Sequence, residues 1–317
     1  GFETKVAIEY IKSCVDTYSA NHPEVHVIHS DIREVTADQI LPYIPKEGID
    51  LVTSGMPCET FSTAGNSSRA AYDDRQFLFR EGIRIAQIVN AKMILFENVP
   101  NIQNKRIAKD SKELVIDYLK KELEEAGYGN FKEFVLDASK YGVPQKRKRV
   151  FSVASKDSQI DVSQTPVETT PDKEVTVKDA FIDIPEVIAN TWTENPNYLK
   201  EESEYTRLMK NDSFWKRITK EKKLLNHLPM NHRKNILERF TILQQGEGLK
   251  GLFERLTAEE LAEYQSRKVI PKTIYVKRNY RLKWDEASPT VTSHCLDEFV
   301  HPVQPRALTV RECARLQ

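Results

Sequence analysis

The octapeptide GMPCETFS, residues 55 to 62, places Cys58 directly after Pro57, at the end of a largely apolar run from Ile49 to Val52. An unperturbed thiol titrates at about 8.5 and a buried one higher, so a cysteine met alone is usually packing material. Here the proline fixes φ, the cysteine falls in a Gly/Pro turn, and the polar stretch ETFSTAGNSSRAAYDDR that follows is long enough to cover it. A turn of that kind presents a nucleophile. Glu97 and Asn98 in FENVPN, with Arg147 and Arg149 in QKRKR, supply a carboxyl group and positive charge for such chemistry. Upstream, Glu9 ends one apolar segment beside Tyr10, and Asp31 follows another. Carboxylates at strand tips accept hydrogen bonds from ribose hydroxyls and amino groups, and the tyrosine ring offers a face to a purine.

These residues need strands to hold them. The pattern predicts strands over Lys5–Glu9, Val25–His29, Ile49–Thr53, Lys92–Phe96, Phe131–Leu136 and Arg149–Ala154, with helices over Ile11–Ala20, Arg75–Val89 and Ser111–Ala126. Strands alternating with helices of this length imply βαβ units and a mostly parallel sheet covered on both faces. The last two strands are joined by DASKYGVPQKRKR, which has no helical period, and an antiparallel pair is expected there. Ligands of such sheets gather at the carboxyl ends of the strands, where Glu9, Tyr10, Asp31, Pro57, Cys58, Glu97 and Asn98 all fall. Beyond about residue 155 the alternation fades, and residues 190 to 304 show no steady repeat.

A chain of 317 residues with 39% hydrophobic and 30% charged residues can bury an ample core, and no apolar stretch is long enough to span a bilayer. The four cysteines, at 14, 58, 295 and 313, lie far apart with no CxxC pair. That argues against a zinc site or a disulfide framework and fits a reducing compartment. Cys14, Cys295 and Cys313 are expected to be packing residues. The formal net charge of zero conceals an asymmetry: Asp161–Glu204 holds 11 acids and 3 bases, Phe214–Phe240 holds 8 bases and 2 acids, and Arg267–Lys283 holds 7 bases and no acid. Basic stretches interleaved with Trp215, Tyr275 and Tyr280 suit a phosphate-bearing partner.

In this order, the motifs resemble those of the DNA cytosine-5 methyltransferase family. GMPCETFS is similar to its Pro-Cys motif, FENVPN to its Glu-Asn-Val motif, QKRKR to its Gln-x-Arg-x-Arg motif and PRALTVRECARLQ to its late Arg-x-Leu-Thr-x-Arg-Glu motif. AIEYIKSCVDTYSANHP and SDIRE resemble the cofactor segments, and VTVKDAFIDIP and RLKWDEASPTVT also have counterparts, so the likeness spans nearly the whole chain. It departs from the family at Glu59, where many members have glutamine. It also implies a glycine-rich cofactor loop upstream of Gly1 and a last motif beyond Gln317, as in a fragment of a longer protein or one subunit of a split enzyme.

The resemblance implies a Rossmann-like, S-adenosylmethionine-dependent methyltransferase fold in residues 1–189 and a smaller, irregular target-recognition domain in 190–317. It assigns Cys58, Glu97, Arg147 and Arg149 to catalysis, and Glu9, Tyr10, Asp31, Ile32, Pro57 and Leu78 to the cofactor. It assigns Ser62, Gln145, Arg281, Thr290 and Thr292 to DNA. The implied cofactor is S-adenosyl-L-methionine, without a metal. The implied partner is double-stranded DNA, with a cognate restriction endonuclease as functional companion and a bacterial, cytoplasmic, nucleoid-associated location. The competing functions are an RNA (tRNA) cytosine-5 methyltransferase and a non-catalytic DNA-binding relative. Arg306, Arg311 and Arg315, on one side of the late motif, are expected to fasten the two domains.

Overall fold

The computed structural model describes residues 2–55, 77–108, 111–192, 197–211, 223–273 and 278–317. Cys58, Pro57, Glu59 and Ser62 lie outside the described residues. The chain divides into two compact units. One comprises Gly1–Leu136 with Lys148–Pro166, the other Asp137–Arg147 with Val167–Gln317.

The first unit is α/β. Its strands are β1 Val6–Glu9, β2 His26–His29, β3 Leu51–Gly55, β4 Met93–Asn98, β5 Asn130–Asp137 and β6 Lys148–Ser155. Its longer helices are α1 Lys12–Asn21, α3 Phe79–Ile88 and α4 Val115–Glu125, with a single-turn α2, Ala37–Ile40. Every strand expected from the sequence is present, shifted by a few residues at most. β1 and β2 pair in parallel, as do β3 and β4. β6 inserts between β4 and β5 and runs antiparallel to β4, so the sheet is mixed.

Burial follows from the spacing of apolar residues. α3 buries Phe79, Gly82, Ile83, Ile85 and Ala86, and α4 buries Val115, Ile116, Leu119 and Leu123, the i, i+3, i+4 and i, i+4 patterns of one helical face. These faces join Ile94 and Phe96 of β4 and Val150 and Ala154 of β6 in one core. α4 stops where Gly127 adopts φ +88°, and the Tyr128 N–H closes on the Leu123 carbonyl at 2.8 Å. This is the left-handed C-terminal turn that a residue with a Cβ resists. Tyr128 is then fully buried, its hydroxyl bonded to the Ala91 carbonyl at 2.8 Å. α1 has no buried residue and Cys14 is exposed, so the expectation that Cys14 packs internally is not met.

The second unit is mostly short helices. One cluster gathers Val177, Ala180, Phe181, Tyr205, Leu282, Val291, Leu308, Cys313 and Leu316. Another forms under the helices Lys234–Ile242 and Leu249–Arg255, around Phe240, Leu243, Leu252, Val269, Ile270 and Val300. Tyr280–Arg281 pairs in parallel with Phe299–Val300, and Phe299 enters the first cluster while Val300 enters the second. Buried Arg306 pairs with Glu312 at 2.7 and 2.8 Å within the late motif and donates to the distant Val187 carbonyl at 3.1 Å, and Arg315 pairs with distant Asp183 at 2.9 and 3.1 Å. Arg306 and Arg315 thus fasten residues 180–187 to the late motif, inside one unit. Arg311 donates to the Leu225 carbonyl at 2.8 Å. The glycines of QQGEGLKG form a built turn. Gly246, at φ +81°, donates to the Arg281 carbonyl at 2.9 Å, and the Arg281 N–H returns to the Glu247 carbonyl at 2.8 Å.

Candidate active site

Parallel pairing of β3 with β4 sets Gly55 opposite Glu97. The strand that leads into Pro57-Cys58 therefore ends beside the carboxylate of the Glu-Asn-Val segment. Across the antiparallel neighbour, Arg149 of β6 places its Nε 2.7 Å from Glu97 Oε1. The Glu97 side chain is 35% exposed and that of Arg149 15%, so the pair faces outward from the sheet end while keeping its geometry. Asn98 points the other way. It is buried, its Oδ1 accepts the Val99 N–H at 2.8 Å, and its Nδ2 has no partner among the described residues.

A second group forms where β1 and β2 end. Glu9 is paired with His29 in the parallel register, and the Ser30 N–H donates to the Glu9 carbonyl at 3.2 Å. Glu9 Oε1 accepts the Ile11 N–H at 2.8 Å, and the Tyr10 ring is 70% exposed. Asp31 caps the following single turn, Ile32–Glu34. It accepts the Arg33 N–H at 3.0 Å and the Arg33 guanidinium at 3.0 and 2.5 Å. Those bonds from Arg33 draw the Asp31 pKa down to about 2, leaving an ionised, acceptor-only carboxylate at neutral pH. Leu78 directly precedes α3, and its carbonyl accepts the Glu81 N–H at 3.1 Å.

Other expected site residues take different positions. Gln145 is 1% exposed. Its Nε2 donates to the Leu316 carbonyl at 2.8 Å and its Oε1 accepts the Val291 N–H at 2.9 Å, so it splices three segments of the second unit. Arg281, 5% exposed, is directed inward as well. Its guanidinium donates to the carbonyls of His301 at 2.8 Å and of Pro302 and Gln304 at 3.3 Å, and also to that of Phe240. Burial lowers its pKa. Backbone groups thus hold both side chains inside: carbonyls for Arg281, a carbonyl and an N–H for Gln145. Arg147, also in the second unit, donates its Nη1 to the Val291 carbonyl at 3.2 Å. Thr290 is half-buried with its hydroxyl on the Lys146 carbonyl at 2.9 Å, whereas exposed Thr292 donates to Glu298 at 2.7 Å. The sequence reading missed Arg84, whose guanidinium grips the turn carrying Asp31. Its only trace in the sequence is the i, i+3 spacing to Glu81 on a helix.

Among the described residues there is no group of three His, Cys, Asp or Glu side chains placed to hold a metal ion, and no helix long and apolar enough to cross a membrane. The chain is 29% identical over its whole length to the Type II methyltransferase M.DdeI of Desulfomicrobium norvegicum, covering 73% of that protein. It is likewise 29% identical to the Type II methyltransferase M1.HphI of Haemophilus parahaemolyticus, covering 72%. A solved structure of a prophage-encoded E. coli protein, assigned as a DNA modification methyltransferase, superposes over all of this chain and 82% of its own, with TM-score 0.68 and 22% identity. That likeness bears on the fold alone, and it supports the α/β, Rossmann-like methyltransferase architecture. Residues 1–317 match the family of C-5 cytosine-specific DNA methylases from end to end, and the chain belongs to that family.

Proposed function

We propose that this enzyme transfers a methyl group from S-adenosylmethionine to C5 of a cytosine flipped out of a specific duplex DNA sequence, with Cys58 as the transient nucleophile. The observation that carries the reading is the Gly55–Glu97 register together with the Glu97–Arg149 pair. It sets a carboxyl group and a guanidinium at the strand end three residues before the cysteine.

The chemistry requires such a set. C5 of cytosine is a weak nucleophile, and addition of a thiolate at C6 breaks the conjugation and makes C5 enamine-like. In this reading Glu97 hydrogen-bonds the exocyclic amine and helps place a proton at N3, while Arg149 binds O2, together stabilising charge in a dry pocket. Arg147 supports the geometry through the Val291 carbonyl. C5 then takes the methyl group, a base removes the C5 proton, and the Cys58 thiolate leaves. C6 is not reachable in stacked duplex, so the base has to be extruded, at a cost of a few kcal/mol.

The residues at the tips of β1 and β2 suit the adenosyl half of the cofactor. Two carboxylates can accept from ribose hydroxyls and the adenine amino group, and an exposed tyrosine ring stands beside them. When bound, S-adenosylmethionine supplies the electrophilic methyl group. Residues 190–304 are read as the target-recognition part, with Thr292 as the exposed hydroxyl among the expected contacts. The names of the relatives favour a Type II restriction-modification role beside a cognate endonuclease.

A duplex carrying 5-fluorocytosine at the target tests the covalent step. Fluorine cannot leave C5 as a proton does, so the wild-type protein should be trapped in a denaturation-resistant complex with the DNA, and Cys58→Ala should not. Absence of any trapped species with wild-type protein, under conditions where it methylates ordinary duplex, would overturn the mechanism. Methylation of transfer RNA in place of duplex DNA would redirect the substrate assignment.

A further inference from the structure

The turn after β2 is tied to α3, the helix that follows Leu78. Arg84, in the middle of α3, donates its Nη2 to the Ile32 carbonyl at 2.6 Å and its Nη1 to the Val35 carbonyl at 2.8 Å. Its Nε is held by Glu81 at 2.7 Å, one turn back on the same helix. The guanidinium is therefore fixed on its own helix and presents two parallel donors to the two ends of the 3-10 turn that Asp31 caps. All partners lie in the first unit. Both segments joined carry expected cofactor residues: Asp31 and Ile32 on the turn, Leu78 just before α3.

We infer that Arg84 is a positioning residue for the cofactor, holding the Asp31–Ile32 turn in register with α3 so that both walls of the adenosyl site are preformed. This rests on the assignment of Asp31 to the cofactor. A ligand that has to order the turn itself binds more weakly than one received by a turn already in place. Val35, 1% exposed, anchors the turn to the core without Arg84. Loss of the fork should then loosen the position of Asp31 without unfolding the unit. Lysine can keep the charge but not the two-carbonyl fork, because an ammonium is a point donor on a flexible stem.

The test is calorimetric binding of S-adenosylmethionine and S-adenosylhomocysteine to the full-length protein, with steady-state kinetics and ligand-free melting alongside. Arg84→Lys should weaken binding of both ligands by roughly tenfold, the equivalent of about 1.4 kcal/mol. KM for the cofactor should rise, kcat at saturating cofactor should be unchanged, and DNA affinity should be unaltered. Arg80→Gln serves as control. It removes contacts of the same helix to Glu122 and Tyr118 and should leave cofactor affinity as it was. Asp31→Ala separates the two layers of the claim. If Asp31→Ala weakens binding and Arg84→Lys does not, the positioning role is overturned while the site assignment stands. If neither changes it, the assignment of this turn to the cofactor fails. A fall in kcat and in ligand-free melting with unchanged cofactor affinity would make Arg84 purely structural. Should Arg84→Lys not fold, Glu81→Gln, which frees one side of the guanidinium, should still raise the dissociation constant, and unaltered affinity there would overturn the inference.

Discussion

Acidification should destabilise the second unit through His301. This imidazole is 6% exposed, and its Nδ1 accepts the N–H groups of Val303 at 3.2 Å and Gln304 at 3.0 Å, so that nitrogen has to be unprotonated. Burial, with Arg306, Arg281 and His227 nearby, outweighs the attraction of the Glu312 carboxylate and carries the pKa down to about 3. The unfolded chain takes up this proton at about pH 6.5, whereas the folded chain refuses it until about 3. Stability therefore falls as the pH drops below the unfolded value and levels off below the folded one. Each such proton is worth about 1.4 kcal/mol per pH unit, so His301 alone accounts for roughly 2 kcal/mol between pH 6.5 and 5. Glu312, held at about 2 by the Arg306 guanidinium against its own burial, stays ionised in the folded protein, and because its unfolded value also lies below that window it adds little slope. His227, shifted downward mainly by burial, adds slope of the same sign. Urea unfolding at a series of pH values from about 7 to 5 measures this. In His301→Gln the amide oxygen can accept the same N–H groups without titrating, and the pH slope should shrink by about one proton's worth. Equal slopes for wild type and variant would refute the reasoning.

Two further outcomes are expected. A Cβ on Gly82 would sit 2.9 Å from Phe96 Cε1 and 3.2 Å from Ser54 Oγ, and the Phe96 ring is 1% exposed and cannot give way. Overpacking of about 1–3 kcal/mol should exceed the gain of about 1 kcal/mol from replacing a helical glycine, so Gly82→Ala should lower the melting midpoint. Glu97→Gln removes the carboxylate facing Arg149 at 2.7 Å. Methyl transfer under single-turnover conditions should slow by about tenfold or more, in line with positioned acid–base groups, while the melting midpoint moves little because both side chains stand at the sheet end. Wild-type rates in that variant would remove Glu97 from the mechanism.

The alternation of apolar runs with helical faces made the first unit legible, because each strand and helix there buries a face whose period is written locally. The strand-tip residues were legible for the same reason: Glu9, Asp31 and Glu97 follow directly from where their strands end. The mixed character of the sheet was only partly so. The helix-free link between β5 and β6 pointed to an antiparallel neighbour, but the insertion of β6 between β4 and β5 is a matter of which edges pair.

In the second unit the sequence supplied charge and motif, and tertiary structure decided what those charges do. Arg281 and Gln145 read as polar residues available to DNA, yet each is drawn inside by carbonyls and N–H groups from segments far along the chain. Nothing in the sequence singled out Arg84, and it became notable only when the Ile32 and Val35 carbonyls arrived within reach. The physical reason is common to all three. A strand tip or an amphipathic face is specified by neighbours in sequence, whereas the partner of a guanidinium or amide is set by which distant backbone groups are left without hydrogen bonds once the chain has folded.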